Sequence, residues 1–198
     1  MTFELFRNPE MFDSARSWTR AGFSVTGKGV MSDIMVAGHA SVSDQLFKKY
    51  NNDVSLKDQL KNYRRRVEGA EKLRAFIATE RLTQIVAPRK RLQELPPSFA
   101  HKGMTSYVLV VDRLELLSSS ESKQLYRQID NETLRQLCTV LRTFRGLDSG
   151  ARNVPFTRSG QIAFVDTERW EDDRDVPLRR IRGYLSDEQR RFAEEFFR

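Results

Sequence analysis

The chain carries one cysteine and two histidines in 198 residues. A single thiol excludes an internal disulfide framework. Cys138 falls on the apolar side of a helical pattern, so it is expected to pack in a core and not to act as a nucleophile. His39 and His101 stand far apart, and no Cys/His spacing suits a metal. No apolar run approaches the length that spans a membrane. The start, Met1-Thr-Phe-Glu-Leu-Phe-Arg7, lacks the apolar stretch of a cleaved secretory signal. The expected compartment is therefore a cytosol, with export by a signal-less route left open. Internal repeats and low-complexity tracts are missing as well.

Charge is plentiful. Asp, Glu, Lys and Arg make up 31% of the chain, and the net charge is +7 with arginine dominating. That balance suits phosphate-bearing ligands, acidic partners or nucleic acid. The run Arg64-Arg65-Arg66 reads as a solvated helix face, so nucleic acid is not the expected partner. Apolar residues at 39% suffice for a core, and the length allows one large domain or two small lobes around a cleft.

The order of elements is legible from pattern. Strands are expected at Phe23–Val25, Asp33–Gly38 and Gln45–Tyr50, punctuated by glycines at 22, 27, 29 and 38. Ser55-Leu-Lys-Asp58 opens a long helix to about Arg81, with Leu56, Leu60, Tyr63, Val67, Ala70, Leu73 and Ile77 at helical spacing. Strands follow at Gln84–Arg91 and Ser106–Asp112. Ser118 caps a short helix; Asp130 or Asn131 caps the next, whose core face is Leu134, Leu137, Cys138, Leu141 and Phe144. Gly146 is expected to stop that helix. Gly160 turns into a strand Ile162–Val165, and Ser186-Asp-Glu-Gln189 opens a last helix bearing Phe192, Phe196 and Phe197. The expected class is α+β, strand-rich in its first half and helical in its second, with a boundary near residues 112–117.

One stretch points to chemistry. In Asp148-Ser-Gly-Ala-Arg-Asn153 an acid sits five residues before an amide, and Asp166 follows thirteen residues later after four apolar strand residues. Such offsets can hold one Mg²⁺-nucleotide between a loop and a strand end, leaving Asp148 as a base. Each of the three also suits a cap or turn. A carboxylate at a buried strand end, however, is costly unless a cation or donor meets it. Upstream, Gly27-Lys-Gly29 lies between two strand candidates, where backbone N–H groups can approach phosphate oxygens unobstructed by Cβ. An ordinary hairpin would carry the same residues.

Taken in order over roughly residues 22–170, these features resemble the protein-kinase-like superfamily. The resemblance implies ATP held with Mg²⁺ between two lobes, a strand-rich N-lobe over 1–112 and a reduced C-lobe over 113–198. It implies a loop at Gly27 and Gly29 over the phosphates and a lysine on the third strand. Spacing from Gly27 favours Lys49 for that role, with Lys48 as the rival on the opposite strand face. The lysine's helix partner would be Glu71, flanked by Val67, Ala75 and Ala78, or Glu68. The carbonyl of Asp112 and the amide of Leu114 would face adenine. Asn153 and Asp166 would hold Mg²⁺, and Asp148 would accept the proton of an attacking hydroxyl.

The departures from that family are large. Gly146-Leu147 stands where His-Arg is usual, Gly150 replaces a lysine, and Asp166-Thr-Glu168 replaces Asp-Phe-Gly. No Ala-Pro-Glu segment is present. Arg152 offers a charge in place of the missing lysine. Size and layout resemble a minimal, atypical kinase of the kind found among bacterial type III effectors, one family of which phosphorylates a host chaperone. The implied function is phosphoryl transfer from ATP to a protein Ser or Thr. A small-molecule kinase and a non-catalytic pseudokinase are the alternatives.

Overall fold

A computed structural model describes residues 5–28, 34–50, 54–173, 178 and 180–197. The protein is mixed α+β, with five α-helices, a five-stranded antiparallel sheet and a small two-stranded sheet among the described residues. Two compact units divide it: Met1–Val67 with Arg89–Arg113, and Glu68–Pro88 with Leu114–Arg198. The chain passes between the units at Val67/Glu68, Pro88/Arg89 and Arg113/Leu114. Residues 68–88 thus join the second unit, and residues 89–113 return to the first. Among the described residues, no helix is long and apolar enough to cross a membrane.

In the first unit, β1 (Phe23–Lys28), β2 (Ile34–His39), β3 (Gln45–Tyr50), β5 (Lys90–Glu94) and β6 (Tyr107–Asp112) form the sheet, in the order β1-β2-β3-β6-β5. Strand alternation sends Phe47, Val108 and Val110 to one face. There they meet Phe6, Phe12, Trp18, Phe23 and Phe99 in an aromatic core. Leu109, Val111 and Tyr50 point to the other face, against Tyr63 of α2 (Leu56–Thr79). The Tyr63 hydroxyl accepts the amide of Tyr50 at 2.8 Å, and burial pushes its pKa up. Gln59, fully buried on α2, donates to the carbonyls of Val54 and Gly103 and accepts the amide of Thr105. It thereby satisfies three backbone groups that no strand pairs.

Ahead of β1 the chain adds two elements that no hydrophobic period announces. Asn8 caps a 3₁₀ turn over Pro9–Phe12, and Ser14 caps α1 (Ala15–Arg20). Both are too short to show a repeat, and the local signals are their caps and Pro9 at the start of the 3₁₀ turn.

The second unit is built on α4 (Asn131–Thr143). Its buried Leu134, Leu137, Cys138 and Leu141 are the residues expected for its core face. Asp130 is the cap, through the amide of Thr133. Cys138 is fully buried and its thiol pKa is pushed up to about 12, in keeping with a packing role. α3 (Ser119–Tyr126) and α5 (Asp187–Phe196) open on capping boxes, Ser118/Glu121 and Ser186/Gln189. The strand expected at Gln84–Arg91 is split. β4 (Ile85–Val86) pairs in parallel with β7 (Ile162–Ala163) in the second unit, while β5 joins the sheet of the first.

Candidate functional site

The loop after α4 is where chemistry-bearing residues converge, all within the second unit. The Asp148 carboxylate holds the loop from both oxygens. Its Oδ1 accepts the amide of Gly150 at 2.8 Å, and its Oδ2 meets Arg180 Nη1 at 2.5 Å. The side chain of Asp148 is 21% exposed and that of Arg180 is 54% exposed. The next turn closes on the Gly150 carbonyl, which accepts the amides of Asn153 at 2.7 Å and Val154 at 3.0 Å. The loop then locks onto α3: the Tyr126 hydroxyl donates to the Val154 carbonyl at 2.6 Å, and Ser122 Oγ accepts the amide of Phe156 at 3.1 Å.

Asp166 reaches this loop through the backbone. The amide of Val165 donates to the Asn153 carbonyl at 3.0 Å, and the amide of Phe164 donates to the Val86 carbonyl at 2.9 Å. Strand β7 and its extension therefore bring the residue after Val165 beside Asn153. Asp166 Oδ1 also accepts the amide of Glu168 at 3.3 Å. The regular strand is shorter than expected, because the ladder with β4 covers only Ile162 and Ala163.

Two glycines allow the chain beyond Asp166 to pack closely. A Cβ at Gly69 on α2 would stand 2.2 Å from the Thr167 carbonyl oxygen and 2.5 Å from Trp170 Cδ1. A Cβ at Gly146 would stand 1.8 Å from the Arg169 carbonyl oxygen. Gly146 was expected to end α4, but the helix stops three residues earlier, with Phe144 as its cap. The glycine is required by this close approach instead. Lys72 completes the packing, its ammonium 4.6 Å from the Trp170 ring.

The other expected site residues fall elsewhere. Gly27 is the β-strand partner of Val36, at a bulge where the register shifts between Val25 and Gly27. Gly29 lies outside the described residues. Lys49 is 0% exposed, on the Phe47 face of the sheet. Its ammonium donates to the carbonyls of Thr105 and Tyr107 (2.7 Å to the latter) and sits 4.9 Å from the Phe12 ring centre. Burial lowers its pKa to about 7. This corrects the choice of Lys49 as the phosphate-gripping lysine: its head group is spent on two carbonyls inside the aromatic core. The spacing argument could not see that both sheet faces are covered. Lys48 occupies the opposite face, the one that α2 covers with Tyr63, whose hydroxyl donates to the Lys48 carbonyl at 3.4 Å.

Glu71 is exposed, and so are Ala75 and Ala78, so the drier surroundings expected for it are not found. Glu68 is exposed too, 3.8 Å from Lys72. At the expected adenine-binding segment, the amide of Asp112 donates to the Arg89 carbonyl at 2.9 Å, and the amide of Arg113 donates to the Asp44 carbonyl at 2.7 Å. Leu114 begins the second unit. Arg180, Gly69 and Gly146 are the site residues that pattern reasoning missed. Arg180 is 32 residues from its partner, and no local signal marks it.

Among the described residues, no group of three or more His, Cys, Asp or Glu side chains could hold a metal ion. Asn153 and Asp166 offer an amide oxygen and a carboxylate. Two hard oxygen donors fit a Mg²⁺ that arrives with substrate phosphates, and do not make a self-sufficient metal cage. No protein-family model matches the chain, and no curated protein matches it.

Proposed function

We propose that the protein is an atypical ATP- and Mg²⁺-dependent kinase that transfers a phosphoryl group to a hydroxyl, with Ser or Thr of a protein as the favoured acceptor. The observation that carries this reading is the bond from the Val165 amide to the Asn153 carbonyl at 3.0 Å. It brings two oxygen-bearing residues, thirteen apart in sequence, to neighbouring backbone positions at the end of a loop that also presents Asp148. The order of three sheet strands, a helix and two further strands of the same sheet before that loop supports the same reading.

Asn153 and Asp166 would hold the Mg²⁺ of the nucleotide, which supplies neutralisation of phosphate charge. Asp148 orients the acceptor hydroxyl and takes its proton on Oδ2, while the Gly150 amide keeps Oδ1 fixed. Arg180 has to yield that oxygen. An ion pair this exposed contributes only about 0–1 kcal/mol, so an arriving hydroxyl displaces it at little cost. An acceptor in a host cell, a chaperone among the candidates, follows from the resemblance to effector kinases alone.

A second reading, nucleotide binding without transfer, is favoured by one observation: both oxygens of Asp148 already have partners. Titrating ATP with and without Mg²⁺ into the wild type and Asp166→Ala tests the binding that both readings share. Mg²⁺ should tighten ATP binding at least tenfold in the wild type and not in the variant. Equal tightening in both proteins would remove Asp166 from the site and both readings with it.

A further inference from the structure

A cavity of about 490 Å³ opens in the first unit, and none of Asp148, Asn153 and Asp166 lines it. Its volume lies within the range of about 300–1,000 Å³ typical of small-molecule clefts. The polar part of its wall is made by Arg7, Asn8, Arg20 and His39, and Met11 supplies an apolar side. Among the described residues, no carboxylate lines it. Arg7 precedes the 3₁₀ turn, Arg20 ends α1, and His39 ends β2, so three separate elements bring their donors to one space.

Two of the donors, Asn8 and His39, are oriented by hydrogen bonds. Asn8 Oδ1 accepts the amide of Met11 at 3.1 Å, which leaves its Nδ2 as the donor for the cavity. His39 Nδ1 accepts the amide of Ser41 at 3.2 Å. In the neutral ring the hydrogen therefore sits on Nε2. Gly22, at φ +89°, also lines the cavity, and a Cβ there would stand 3.2 Å from Nε2. The glycine keeps that donor approachable. Three carbonyls in the last turn of α1 are occupied: Ser17 and Trp18 accept the amide of Ala21, and Thr19 accepts that of Gly22.

We propose that this cavity binds the phosphoryl group of a small phosphate monoester, with Arg7, Arg20, His39 and Asn8 on the phosphate and Met11 against the organic part. Two guanidinium groups supply several N–H donors in planar forks, the geometry that grips phosphate oxygens in pairs. The volume leaves room for more than the phosphate itself. The site stands on its own residues and does not depend on the phosphotransfer reading.

The test is an NMR titration of the full chain at constant ionic strength with phenyl phosphate, inorganic phosphate and benzoate, following the amides of Gly22 and His39. Phenyl phosphate should give saturating shifts at both and bind several times more tightly than inorganic phosphate or benzoate. Arg20→Gln should weaken it about tenfold, the scale of one charge-assisted contact. Arg142→Gln, which removes an exposed charge on α4, should leave it unchanged. Shifts that never saturate, or equal losses in the two variants, would reduce the site to general charge attraction and overturn the proposal. Phenyl phosphate no tighter than inorganic phosphate would remove the ester, and benzoate as tight as phenyl phosphate would remove the phosphate. Should Arg20→Gln lose its dispersed spectrum, Arg7→Gln carries the same comparison.

Discussion

The amide of Val165 donates to the carbonyl of Asn153 at 3.0 Å, and Asp166 is the next residue along the chain. That backbone bond does not depend on either side chain. Substituting the side chains should therefore remove function without dismantling the loop. Asp166→Ala should abolish Mg²⁺-dependent transfer, and Asn153→Ala should raise the Mg²⁺ concentration needed for half-maximal activity. Circular dichroism of both variants should match the wild type. Activity retained in Asp166→Ala would take the residue out of the metal site.

Gly69 and Gly146 face the backbone beyond Asp166 at distances no side chain can share. Gly69→Ala and Gly146→Ala should each destabilise the protein by about 1–3 kcal/mol, the usual cost of overpacking a tight contact. Gly146→Ala should be the worse of the two, because its nearest obstacle is backbone at 1.8 Å. Urea unfolding midpoints measure this. Midpoints equal to the wild type would mean that the close approach relaxes freely.

Asp148 is expected to act through its charge, and Arg180 is expected to be dispensable. Asp148→Asn should keep ATP affinity and lower transfer about 10²-fold, the scale for a lost positioned base. Arg180→Gln should change transfer by no more than a few fold, because the Gly150 amide still holds Oδ1. Steady-state kinetics of the two variants separate the roles. A large loss in Arg180→Gln with none in Asp148→Asn would make the pair a structural staple.

Lys49 carries a pH signature. Burial lowers its pKa from 10.5 to about 7, so above pH 7 the folded protein binds fewer protons than the unfolded chain. Stability should therefore rise with pH from about 7 upward. Above pH 9 the buried Cys138 thiol, with its pKa raised to about 12, works in the opposite direction. The clean window is thus pH 7–9. Urea midpoints should climb across it in the wild type and stay flat in Lys49→Met. A flat wild-type profile would mean that the Thr105 and Tyr107 carbonyls and the Phe12 ring keep the ammonium charged.

Where local chemistry decides structure, the sequence was readable. Ser118 with Glu121, Ser186 with Gln189, and Asp130 with Thr133 all cap the helices their spacing announces. The Asp148–Asn153 loop was legible for the same reason, since its turns close within six residues. Lys48 and Lys49 were not separable, because alternation assigns them to two faces without saying what covers each. Here an aromatic core from the N-terminal segment covers the Lys49 face. Arg7, Arg20 and His39 could not be grouped at all: only the packing of Trp18 and Phe12 against the sheet brings them together.

The central claim is transfer of the terminal phosphoryl group under the control of Asp166. Incubating the protein with Mg²⁺ and ATP labelled on either the γ- or the α-phosphate, with a mixed protein substrate, tests it in one measurement. Label from γ-ATP alone should reach protein hydroxyls, and Asp166→Ala should reduce it to background. Incorporation from α-ATP would make the reaction nucleotidyl transfer, and γ-label carried equally well by Asp166→Ala would contradict the account.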